Sequence, residues 1–132
     1  MNILTINIPT ITLKSGVRVM TRPVLTEDLP LTHQGVQPPG QPAVNMTFDQ
    51  CTEIAAEMGG RLPTEEEWLE VFDKKPYSGG ILEWTSTEVE DVRVVRGGSW
   101  GVNAGLCRAA FRDGSLPFFR YDDLGFRAAF DK

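Results

Sequence analysis

Three sets of residues in this 132-residue chain are of types that do chemistry. Cys51 and Cys107 can supply thiolates, His33 an imidazole, and the run Glu65-Glu66-Glu67 a cluster of carboxylates. Two cysteines are too few for a disulfide framework. A single histidine excludes a multi-His zinc or iron site within one chain. His33 stands in LTHQGVQPPGQP, a stretch of loop composition, and reads as a solvated loop residue. The glutamate run follows Pro63-Thr64 and precedes Trp68, Val71 and Phe72. That arrangement is a helix start, where the dipole favours acidic residues, and it accounts for the carboxylates without a metal.

A fourth stretch, FRDGSLPFFRYDD (residues 111–123), combines turn residues with aromatic ones. It holds Phe111, Phe118, Phe119 and Tyr121, and neither a helical nor a two-residue apolar period runs through it. A buried regular element is therefore not expected there, and the aromatic content needs another explanation.

The elements that must carry these groups are short. Residues 2–8 and 10–20 alternate in strand fashion, punctuated by Pro9 and Lys14-Ser15-Gly16. Residues 30–42, rich in Pro, Gly and Gln, form a surface loop. Thr47-Phe48-Asp49-Gln50 is a capping box for a helix with Cys51, Ile54, Ala55 and Met58 on one face, stopped by Gly59-Gly60. Thr64 to Glu67 is a second capping box. Short strands are expected at 81–84, at Val92–Arg96 and from Gly125 to Phe130. The class is α+β, with two short helices, several short antiparallel strands and a large irregular C-terminal loop region.

The length suits one domain, residues 1–132. A net charge of −5 and a pI near 4.8 argue against nucleic acid or an anionic membrane as partner. No stretch approaches the roughly 20 apolar residues of a membrane span, so membrane insertion is not expected. The N-terminus lacks a basic flank, an apolar run and a cleavage site. The expected location is the cytoplasm or a particle assembled in one.

The tail is biased in a particular way. Residues 101–131 contain no Lys, Glu, Gln, Met or Trp, whereas these five types occur 24 times in residues 1–100. At that frequency so long a gap has a chance on the order of 10⁻⁴. Charge is not simply missing, because Arg108, Arg112, Arg120, Asp113, Asp122 and Asp123 are present.

PAVNMTFDQC, GGRLPTEEEW, ILEWTS, VVRGGSW, CRAAFR and LGFRAAF together resemble the formylglycine-generating-enzyme and sulfatase-modifying-factor family, which has a C-type-lectin-like fold. The resemblance implies a scaffold anchored by Trp68, Trp84 and Trp100, with Arg96, Arg108, Arg112 and Arg127 bonding beneath irregular chain. The oxidising members carry a copper-binding cysteine pair just beyond the RGGS-aromatic motif. Here Gly101 to Leu106 holds no cysteine. Cys107 lies in the CRAA motif, so both thiols are expected to be buried apolar residues, with a disulfide open but not demanded. The family's calcium site usually has Asn before its W-E-W segment, where this chain has Gly80, and no metal or other cofactor is expected.

Within the fold, residues 96–127 resemble more specifically the variable proteins of diversity-generating retroelements. Adenine-directed mutagenesis of asparagine codons in such proteins reaches every amino acid except Lys, Glu, Gln, Met and Trp, the five missing here. The resemblance divides the chain into a scaffold, 1–95, and a variable region, 96–130. The implied ligand-binding positions are Gly101, Val102, Asn103, Leu106, Phe111, Asp113, Gly114, Ser115, Leu116, Phe118, Phe119, Tyr121, Asp122 and Asp123. Gly105 and Leu124 fit either the frame or the variable set.

On this reading the chain is a non-catalytic binding protein, and no residue is catalytic. Its partner would be a protein or cell-surface molecule, and its location the cytoplasm or a virion. The family leaves two alternatives, a formylglycine-generating-enzyme-like oxidase and a calcium-dependent sugar-binding lectin.

Overall fold

Two capping boxes start the two helices, and the computed structural model shows both closed. It describes residues 8–30, 33, 40–74, 81–90, 92–97, 113–115 and 124–131. Helix α1 spans Phe48–Glu57. The Gln50 amide donates to Thr47 Oγ1 (3.2 Å) while the Thr47 amide donates to Gln50 Oε1 (2.9 Å), satisfying two otherwise orphaned donors. Phe48, Cys51, Ile54, Ala55 and, at the C-cap, Met58 are buried. Gly59 follows at φ +91°, a left-handed conformation that costs glycine little. Helix α2 spans Glu65–Lys74, with the Thr64 amide bonded to Glu67 Oε1 (2.9 Å) and the Glu67 amide to Thr64 Oγ1 (3.1 Å). It buries Trp68, Val71 and Phe72.

Among the described residues, seven short strands make two sheets. In chain order they are β1 Thr10–Thr12, β2 Arg18–Met20, β3 Leu82–Val89, β4 Val92–Gly97, β5 Asp113–Ser115, β6 Leu124–Gly125 and β7 Ala129–Phe130. One sheet has the order β1-β2-β7, antiparallel throughout. The other has the order β5-β4-β3-β6, antiparallel except for the parallel pair β3–β6. This is an α+β arrangement, as the mixture of short elements predicts.

Two expected elements change. The single last strand from Gly125 to Phe130 is two strands in different sheets. Residues 126–128 carry the chain between them, with the Phe126 carbonyl accepting from the Val24 amide (2.8 Å) and the Ala128 carbonyl from the Met20 amide (3.1 Å). Every residue from 124 to 130 is buried, so no alternation marks the crossing. The strand expected over 81–84 runs to Val89, because its polar second half still pairs with β4 after a register irregularity between Trp84 and Glu88.

The main core joins α1 to the inner face of the second sheet. Trp84 is fully buried, edge-on to Phe48 (5.7 Å), and its indole donates to the Met46 carbonyl (3.1 Å). Fully burying one such side chain is worth roughly 1.5–3 kcal/mol, so Trp84, Phe126 and Met20 anchor a small domain effectively. Val19, Val71 and Ala129 form a smaller cluster under the first sheet.

A frame for a ligand-binding segment

The second sheet holds both flanks of residues 98–123 at one place. Gly97, the last residue of β4, pairs with Leu82, and Leu124, the first of β6, pairs with the same Leu82 from the other side. Two strand spacings separate them, about 10 Å. Whatever lies between residues 97 and 124 leaves and returns at one end of one strand.

Charged groups beneath that point are fixed tightly. Arg127 Nε donates to Glu83 Oε1 (2.6 Å), Nη2 to Glu83 Oε2 (2.9 Å) and Nη1 to the Met20 carbonyl (3.0 Å). Both side chains are essentially without solvent contact. A planar fork on a carboxylate is the strong form of such a bond, and it ties the strand before the tail to the residues after it. Arg96 lies 3.6 Å from Glu65 Oε2, at the start of α2. The guanidinium groups of Arg96 and Arg127 sit 5.8 and 5.7 Å from the centre of the Trp68 ring, which stacks on Phe72. The fork expected of Arg127 is thus in place, Arg96 makes a looser ion pair, and Glu83 is the partner that sequence reasoning missed. A signal existed: a lone acid between Leu82 and Trp84 in an expected strand needs a buried cation wherever that strand is buried.

Gly97 has φ +127°, and a Cβ there would come within 2.5 Å of the Ile81 carbonyl oxygen. The glycine is needed both for its backbone angle and for the close approach of the chain to Ile81.

Of the expected binding positions, the structure describes the backbone of Asp113, Gly114 and Ser115. These three form β5, the outer strand against β4, in register as Val95↔Asp113, Val94↔Gly114 and Arg93↔Ser115. The expectation of irregular loop through this stretch is corrected here: a sheet edge needs only main-chain groups, so no side-chain pattern announced it. Gly101, Val102, Asn103, Leu106, Phe111, Leu116, Phe118, Phe119, Tyr121, Asp122 and Asp123 lie outside the described residues. So do Trp100, Gly105, Cys107, Arg108 and Arg112. Leu124, left open between frame and variable set, is a buried strand residue.

The other candidates take structural roles. Cys51 is a free thiol with no exposure, and burial pushes its pKa far above the thiol range. His33 is exposed as expected and its Nε2 meets Glu57 Oε2 at 2.8 Å. The glutamate run divides its work: the Glu65 amide donates to Thr87 Oγ1 (2.9 Å), and the Glu67 carboxylate accepts from both Nη atoms of Arg61 at 2.8 Å. Arg61 also reaches Asp131 (3.1 Å), clasping α2 to the end of β7, and it holds the Glu67 and Asp131 carboxyls below their ordinary pKa values. Among the described residues no three His, Cys, Asp or Glu side chains are grouped as a metal site would require. A cavity of about 190 Å³, lined by Thr26, Leu29, His33, Ala43, Val44, Asn45 and Met46, is smaller than the roughly 300 Å³ at which ligand pockets begin. No helix among the described residues is long and apolar enough to cross a membrane.

Comparison with known proteins agrees with this architecture. The model of the sulfatase-modifying factor enzyme 1-like domain matches residues 72–132. Hercynine oxygenase of Mycobacterium tuberculosis is 23% identical over 89% of this chain and 41% of that enzyme. Its counterpart from Mycolicibacterium thermoresistibile is 24% identical over 71% and 37%. The chain thus spans about two-fifths of the length of these relatives. Among solved structures, variable protein 1 of Treponema denticola superposes with a TM-score of 0.60 at 16% identity, over 88% of this chain and 84% of that one. PvdO from Pseudomonas aeruginosa gives 0.57 at 15% identity, over 95% and 72%. These likenesses establish the fold, which is C-type-lectin-like.

Proposed function

We propose that this C-type-lectin-like chain, whose C-terminal part is a sulfatase-modifying factor enzyme 1-like domain, is a non-catalytic binding protein with a ligand-binding face diversified by a retroelement. One observation carries the reading. The five residue types missing from 101–131 are the five that adenine-directed exchange of asparagine codons cannot produce. Support comes from the frame, since both flanks of 98–123 are pinned to Leu82 by backbone pairing and to the core by Arg96 and Arg127. Likeness in fold to a variable protein is consistent with it.

In such a protein the scaffold stays fixed while side chains on the segment vary, as in antibody loops. Phe111, Phe118, Phe119 and Tyr121 would give contact area at low side-chain entropy cost, and Asp113, Asp122 and Asp123 charge selectivity. The partner would be a protein or cell-surface molecule. The oxygenase relatives favour a second reading, catalysis, which in the formylglycine-generating-enzyme-like form that the sequence leaves open would use a thiol-bound copper. That reading predicts copper(I) uptake and a reactive Cys107 in the native protein, whereas the binding reading predicts neither.

The deciding test is the DNA around the gene. A neighbouring reverse transcriptase, and a near-copy of the segment encoding residues 96–127 that differs at adenines, are expected. A locus with neither overturns the proposal.

A further inference from the structure

We propose that β5 is a main-chain tether that interrupts the binding segment between residues 112 and 116, and that proline is admitted at position 114 but not at 113 or 115. The inference rests on the reading above that these positions are diversified.

The direction of the ladder follows from one contact on the far side of β4. Thr85 Oγ1, on β3, donates to the Val94 carbonyl at 2.8 Å. A strand residue directs its N–H and C=O to the same side, and its two neighbours direct theirs to the other. Val94 therefore faces β3, while Arg93 and Val95 face β5. In the register Arg93↔Ser115 and Val95↔Asp113, these two pairs exchange the ladder bonds, and Gly114 turns its N–H and C=O away from β4.

The template for these bonds is rigid. Val94 and Val95 are buried at 1% and 3% exposure. The Arg93 guanidinium lies 4.6 Å from the centre of the Phe48 ring and donates to the Ser86 carbonyl (3.3 Å). The ladder uses groups that every residue except proline supplies in the same form. Exchange of side chains at 113–115 thus leaves the tether in place unless the missing N–H is one that points at β4. Proline is within reach of the mutational process, because changing both adenines of AAC to cytosine gives CCC.

Amide hydrogen exchange on the full chain tests this at Arg93 and Val95. Ser115→Pro is expected to raise exchange at both by about tenfold or more, as local opening becomes easier. Gly114→Pro, Ser115→Tyr and Asp113→Tyr are expected to leave both within about threefold of the parent. Loss of protection with either tyrosine, or its retention in Ser115→Pro, overturns the tether. Should Ser115→Pro fail to fold, the contrast between Gly114→Pro and Asp113→Pro decides in the same way. Sequencing of naturally diversified copies is expected to show proline at 114 and none at 113 or 115. A genome without a template refutes diversification and leaves the exchange result standing, so the two failures are distinguishable.

Discussion

Replacing Glu83 by Gln removes one charge from the least accessible part of the frame and leaves its shape almost unchanged. Arg127 would keep its bond to the Met20 carbonyl but lose the carboxylate that meets Nε at 2.6 Å and Nη2 at 2.9 Å. With both side chains at 0–1% exposure, water cannot replace that partner. Breaking a buried pair by removing one member costs about 3–5 kcal/mol, because the remaining charge stays desolvated. For a chain of this size 1 kcal/mol corresponds to roughly 3–5 °C, so the thermal midpoint should fall by roughly 10–25 °C. Urea unfolding monitored by tryptophan fluorescence measures the same quantity directly. Glu88→Gln is the control: it is paired with Arg93 at 3.8 Å but half exposed, and should change stability by less than about 0.5 kcal/mol. Glu83→Leu combined with Arg127→Met, which removes both charges, should be less damaging than Glu83→Gln alone. A cost below about 1 kcal/mol for Glu83→Gln would refute the argument that this pair holds the two flanks together.

Three further outcomes follow from the geometry. Arg61 lowers the Glu67 and Asp131 carboxyl pKa values from ordinary ones of 4.5 and 3.8, so its contribution is full above pH 4.5 and is lost as pH falls through the folded-state values. The stability difference between the parent and Arg61→Met should accordingly shrink on acidification below about pH 4.5 in urea titrations, and a constant difference would contradict the clasp. Gly97→Ala, with its Cβ 2.5 Å from a carbonyl oxygen, should cost more in thermal unfolding than Gly59→Ala, where the left-handed angle is the sole penalty of about 1 kcal/mol. Cys51 should resist a thiol reagent in the native protein and react on unfolding, because burial both raises its pKa and blocks access.

What the sequence disclosed depended on whether the information was local. Both helix starts were legible, because a capping box is four residues long and satisfies its own donors. The turn at Lys14-Ser15-Gly16 between β1 and β2 was legible for the same reason. The division of 124–130 between two sheets was not, since all seven residues are buried and a fully buried strand carries no alternation. Strand β5 was hidden because its bonds to β4 are backbone bonds across some twenty residues. Glu83 stood in plain view as an acid between two apolar residues, but its partner lies 44 residues away and only the fold names it.

The frame by itself is neutral between binding and catalysis. Arg96, Trp68, Glu83 and Arg127 fix the place where chain leaves and re-enters the sheet, and a catalyst needs that fixed point as much as a binder does. The difference has to lie in what the intervening segment carries. The oxidising members of the family that the sequence resembles carry cysteines just beyond the RGGS-aromatic motif, and residues 101–106 here are Gly, Val, Asn, Ala, Gly and Leu. A binding face needs side chains that can change while the backbone stays where it is. Such a face is best held by groups outside the changing set, and Gly97 and Leu124, meeting at Leu82, are held in that way.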